Sequence, residues 1–164
     1  MDTKRLTKLA LLTAVALILF TVEAQIPAPV PIPGVKLGLA NIVTVYAMFR
    51  FGPKDTLLVL LARVLLGSAF AGSMMALWFS LGGGLLCWLV MIFLRKILTE
   101  RQIWVCGVIG GVCHNIGQIA VCILVYQTTA VIAYLPVLML SGIVTGLFTG
   151  WAAYFLIQKL GDRI

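Results

Sequence analysis

The sequence predicts an all-α integral membrane bundle of six transmembrane helices, with a proline-rich outer loop between helices one and two. Three observations predict it. Hydrophobic residues make up 62% of the 164 positions and charged residues only 10%. The mean hydropathy of +1.14 is far above that of a soluble domain of this size. Long apolar runs recur between short clusters of charge and turn residues, and their lengths approach the ~20 residues a spanning helix needs. One transmembrane domain over 1–164 accounts for the whole chain.

The first helix runs from Leu6 to Thr21 and is closed by Glu23 and Gln25. A secretory signal peptide competes for this stretch, with Lys4, Arg5 and Lys8 as its basic start, but no clean small-x-small cleavage site follows. Next come Pro27, Pro29, Pro31, Pro33 and Gly34. Each proline lacks an N–H and fixes its φ, so this stretch is an extended or turning cap rather than a helix. Helix two follows over Leu37–Phe51, too short to cross ~30 Å comfortably at 1.5 Å per residue.

Helix three spans Asp55 to about Leu66 and ends near Gly67 and Ser68. Within Met74–Leu98, helix four is placed at Leu77–Leu94, where Gly82, Gly83 and Gly84 allow a bend or the close approach of a neighbour. Helix five covers Ile103–Tyr126 and helix six Val131–Ile157.

Charge sets the expected topology, because Lys and Arg are retained on the cytoplasmic side. With both termini cytoplasmic, Lys4, Arg5, Lys8, Arg50, Lys54, Arg95, Lys96, Arg101, Lys159 and Arg163 all fall inside, which is all but two of the 12 basic residues. The net charge of +7 is thereby explained by loops at a cell membrane, without nucleic acid. Tyr126 and Tyr134 suit an outer aromatic belt and Trp104 and Tyr154 an inner one.

The two exceptions, Lys36 and Arg63, are candidate ligand contacts. A guanidinium inside a membrane helix costs about 2.5–3.5 kcal/mol on insertion scales, so Arg63 must face the protein interior. It serves either as counter-charge to an anionic or carbonyl-bearing ligand or as a permanent partner of Glu23 or of loop carbonyls. Lys36 either closes over a ligand or stays solvated, and Asn41 lies just beyond it. Helix five carries His114, Asn115 and Gln118 within one turn or so, and polar groups at that depth need partners. With a single His and no nearby carboxylate, metal binding is not expected. Trp78, Phe79 and Trp88 offer rings for stacking, although such residues usually serve packing.

Small residues form a second pattern. Ala10 and Ala14 are spaced for close helix contact, as are Gly142, Gly146 and Gly150, the latter read as internal bundle packing. Cys87, Cys106, Cys113 and Cys122 include no CxxC pair and read as small buried hydrophobes.

Enzymatic chemistry is not expected. A hard divalent cation wants repeated carboxylates, whereas this chain has Asp2, Asp55 and Asp162 only and no DDxxD. It also lacks the GxxxxGK[ST] phosphate loop, so energy for any transport must come from another protein. No cofactor is implied. A self-sufficient carrier would need an inverted repeat, and none is evident.

ALLTA over Ala10–Ala14, the proline-rich loop, and GVKLGLANIVTVYAMFRFGP over Gly34–Pro53 together resemble the substrate-binding S components of energy-coupling factor (ECF) transporters. With SLGGGLLCWLVM (Ser80–Met91) and GGVCHNIGQIAV (Gly110–Val121), the chain is more closely similar to the Gx transporter family, catalogued also as heptaprenyl diphosphate synthase component I. The resemblance implies capture of a small vitamin- or quinone-precursor-like molecule at the outer face, beneath the first loop and against helices four to six. It further implies docking of Ala10 and Ala14 on a membrane coupling subunit driven by cytoplasmic ATPase subunits. On the alternative reading, the chain is a non-catalytic membrane accessory subunit of isoprenoid or quinone biosynthesis.

Overall fold

A computed structural model describes residues 3–26 and 38–160. The proline-rich loop and Lys36 lie outside the described residues. Six α-helices follow in order: α1 Thr3–Glu23, α2 Asn41–Arg50, α3 Pro53–Ala71, α4 Met74–Ile97, α5 Ile103–Tyr126 and α6 Leu135–Leu160. Short 3-10 turns over Glu100–Gln102 and Ala130–Tyr134 lead into α5 and α6.

The expected all-α fold is observed, and the described residues include six helices. Among the described residues, four stretches are long and apolar enough to cross a membrane: Thr3–Glu23, Met74–Ile97, Glu100–Tyr126 and Ala130–Leu160. The architecture is that of a multi-pass membrane protein. The other two helices differ for separate reasons. At ten residues, α2 is about 15 Å long, half the hydrocarbon core. In α3, Lys54, Asp55 and Arg63 interrupt the apolar run.

The short helix is the centre of the bundle. Asn41 through Met48 are all buried, and α2 packs against α1, α3, α4, α5 and α6. Its C-terminal half joins Cys87, Met91, Ile103, Cys106 and Ala153 in one core cluster. A helix buried on every side has no need of an amphipathic stripe, and the sequence IVTVYAM shows none.

Helix ends follow local chemistry. Pro53 opens α3 where its missing N–H costs nothing, and Gly72 closes it in the left-handed region at φ +60°. Ser73 then accepts from the Ala76 N–H at 3.2 Å and starts α4. Thr99 and Gln102 form a capping box at the turn before α5.

Two sequence expectations need correction here. Helix three does not stop near Gly67 and Ser68 but continues to Ala71. Gly67 is a contact rather than a stop: a Cβ there would lie 3.0 Å from the Phe20 ring of α1. Helix four runs unbroken from Met74 to Ile97 through its three glycines. Gly82 and Gly83 meet Gly117 and His114 of α5, while Gly84 meets Leu60 of α3. The triplet lets α4 lie close to helices on two sides.

The α5–α6 seam uses the same device. A Cβ on Gly111 would stand 2.5 Å from the Gly142 carbonyl oxygen, and Gly107 is covered by Gly146 and Gly150. The glycine spacing of α6 is thus internal packing.

Candidate functional site

Glu23, at the end of α1, is 4% exposed, and its carboxylate accepts the Gly38 N–H. Gly38 adopts φ +85°, a conformation open to glycine, and its carbonyl receives the Asn41 N–H at 2.9 Å. This turn places Asn41 as the first residue of α2 with its side chain aimed at α3.

There Arg63 meets it. Arg63 is 3% exposed and donates from Nη2 to Asn41 Oδ1 at 3.3 Å. The charge on Glu23 acts on the guanidinium, and that of Arg63 in turn on the His114 ring. On the opposite side, His114 of α5 approaches the same turn: a Cβ on Gly38 would stand 3.3 Å from His114 Cδ2 and 2.9 Å from Asn41 Nδ2. The ring rests on Gly83 of α4, where a Cβ would come within 2.8 Å of Nδ1.

Elements α1, α2, α3, α4 and α5 therefore converge on one buried polar cluster at the N-terminal end of α2. Arg63 Nε is buried there without a hydrogen-bond partner among the described residues, while the Nδ1 edge of the His114 ring lies against the Gly83 backbone of α4. Burying such a group unpaired is costly. An Nε–H donor beside a positive charge suits carboxylate, carbonyl or phosphoryl oxygen. Among the described residues no group of three His, Cys, Asp or Glu is arranged to hold a metal ion.

Of the residues expected from sequence, the structure brings Asn41, Arg63 and His114 together. Asn115 is engaged differently, donating from Nδ2 to the Leu138 carbonyl of α6 at 2.5 Å, with Oδ1 buried and unpartnered. Gln118, one turn beyond His114, is 1% exposed and also has an unpartnered Oε1. Lys36 lies outside the described residues.

The aromatic rings are dispersed. Trp88 donates to the Pro53 carbonyl at 2.9 Å at the far end of α3, Trp78 is exposed, and Phe79 packs with Ile119, Cys122 and Leu138. Glu23 is the residue whose role in the turn the sequence left undetermined. It reads there as a helix end, and its bond to a backbone N–H 15 residues away carries no sequence signal.

Ala10 and Ala14 are exposed and line an apolar groove of about 570 Å³ between α1 and α3, with Ala62 opposite.

No curated protein and no solved structure matches the chain. One family pattern does, over residues 12–156, which takes in part or all of each described helix and the whole polar cluster. By that match the chain belongs to the family described as heptaprenyl diphosphate synthase component I.

Proposed function

We propose that this chain is a non-catalytic membrane subunit that captures a small molecule carrying carboxylate, carbonyl or phosphoryl oxygen. Arg63, Asn41 and His114 are its principal contacts, with Lys36, Asn115 and Gln118 completing the site. The observation that supports the reading is Arg63 Nε, buried without a partner among the described residues, on a guanidinium that meets Asn41 beside the Gly38 turn, which His114 Cδ2 also approaches. A guanidinium kept at membrane depth with one long bond to Asn41 is under-satisfied as a structural tie.

In this reading all six helices lie within the bilayer, α2 and α3 forming its interior pair. The end carrying Arg50, Arg95, Lys96, Arg101 and Lys159 faces the cytoplasm, with both termini, and the cluster faces outward. Delivery then depends on a coupling membrane subunit and ATPase subunits, as the resemblance to S components implies, with Ala10 and Ala14 at the contact.

A second reading rests on the family's description: an accessory subunit that holds a soluble, aspartate-rich synthase at the membrane. The two are separated by native mass spectrometry of the protein released from membranes in mild detergent. Capture predicts a discrete small molecule retained by the native chain and lost from Arg63→Ala and His114→Ala. A native chain carrying lipid alone, or variants retaining the molecule equally, overturns the capture reading.

A further inference from the structure

Along α2, α1 packs on α2 and α3 while α6 packs on α2 and α5, so α1 and α6 stand apart over the face of α2. The resulting groove has a volume of about 640 Å³. Its walls are Leu12, Val15 and Leu19 of α1 and Phe155 and Leu156 of α6, with Val43 of α2 on its floor. At 1.5 Å per helical residue, Leu11 to Leu19 gives it a length of about 12 Å.

Two polar features break this apolar surface. Lys159 is the one charged residue lining the groove; it is exposed and makes no ion pair among the described residues. Tyr46 lines the groove too, is 3% exposed, and has a hydroxyl with no hydrogen-bond partner among the described residues. Both belong to the basic end of the bundle, where α2 finishes at Arg50 and α6 at Leu160.

We propose that this groove is a binding site for an anionic phospholipid, its acyl chain lying between α1 and α6 and its phosphate held at Lys159. Apart from Lys159 and the Tyr46 hydroxyl, the lining is apolar, as suits an acyl chain. The charge decides the headgroup, since a lone ammonium at the end of an apolar slot complements a phosphate at the bilayer surface. At about 12 Å the slot is shorter than one leaflet, so it fits part of an acyl chain entering from the side. None of the groove's lining residues is Glu23, Gly38, Asn41, Arg63 or His114.

The test is a native mass spectrometric titration of the full chain, in mild detergent, with phosphatidylglycerol, phosphatidylcholine and a polyprenyl diphosphate. One phosphatidylglycerol is expected to bind ahead of phosphatidylcholine. Lys159→Gln should weaken it about fivefold, as one basic group near an anionic surface implies. Lys96→Gln, equally exposed at the same end but outside the groove, should leave it unchanged. Ala152→Phe, which fills the slot from α6, should weaken both phospholipids. Equal binding of the two phospholipids, or an equal loss in Lys96→Gln, overturns the site. So does displacement of phosphatidylglycerol one for one by the polyprenyl diphosphate, which would give the slot to an isoprenoid.

Discussion

The Arg63 guanidinium, near the middle of α3, donates to Asn41 Oδ1, at the first residue of α2, across 3.3 Å of protein interior. The bond joins the two helices that depart most from the pattern of a plain membrane span, one by its length and the other by its charge. Removing the acceptor leaves the donor buried, and that asymmetry governs what substitution does. Asn41→Ala is expected to lower stability by about 1–3 kcal/mol, the cost of stranding a buried polar partner. Replacing both, as Asn41→Leu with Arg63→Met, should cost less than the two single changes added together. Thermal unfolding of the four proteins in one detergent measures this, and additive losses would show that the bond contributes nothing of its own.

Gly83 gives a sharper test of how closely the site is built. A Cβ at this position stands 2.7 Å from the His114 carbonyl oxygen and 2.8 Å from its ring, so Gly83→Ala must push α5 away or turn the imidazole. Overpacking of this kind costs about 1–3 kcal/mol. Gly72 supplies the contrast, because nothing lies within 4 Å of its Cβ position and only its φ of +60° resists substitution. Gly72→Ala should therefore lower stability by about 1 kcal/mol through backbone strain alone and leave ligand retention intact, whereas Gly83→Ala should impair both. Retention measured beside unfolding temperature separates the two effects.

How much of this was legible in the sequence depended on whether a residue's fate was settled locally. Helix five was placed at Ile103–Tyr126, and α5 has those bounds, since a charged turn precedes it and a turn of polar residues follows. The inward facing of Arg63 was legible too, because a charge in lipid is expensive whatever the fold. Gly67 was misread as a helix end, since nothing in its neighbours announces that Phe20 of α1 will lie against it. Asn115 likewise gave no sign that its amide would be drawn to the Leu138 carbonyl, 23 residues away on another helix. The central place of α2 was hidden for the same reason: a ten-residue apolar helix reads alike at the rim and at the core of a bundle.

At the basic end, Arg5 holds Asp55 through two bonds, Nε to Oδ2 at 3.0 Å and Nη2 to Oδ1 at 2.6 Å, joining the start of α1 to the start of α3. The partners differ in exposure: the Arg5 side chain is 52% exposed and that of Asp55 only 5%. The more exposed member should then be the more damaging to lose. Arg5→Gln leaves a carboxylate buried without its bidentate partner, whereas Asp55→Asn leaves a cation free to turn into water. The expected order of unfolding temperatures is native, then Asp55→Asn, then Arg5→Gln, with the double variant close to Asp55→Asn. The reverse order for the single variants would mean that solvent reaches Asp55 freely.

Ala10 and Ala14 lie exposed on α1 and line the groove that α1 shares with α3, so the close approach their size permits is not used by the described residues. If a partner helix enters there, as the coupling-subunit reading requires, bulk at Ala14 should block it without disturbing the fold. Ala14→Leu is expected to keep stability within about 0.5 kcal/mol of native, as befits an exposed position, and to retain any captured ligand. Copurification with membrane partners should be lost. Leu58 supplies the control, because it lines the same groove and is already large and exposed, so Leu58→Ala widens the slot and should leave association intact. Partner recovery from native, Ala14→Leu and Leu58→Ala membranes gives the answer directly, and native-level recovery with Ala14→Leu would move the docking surface away from this face of α1.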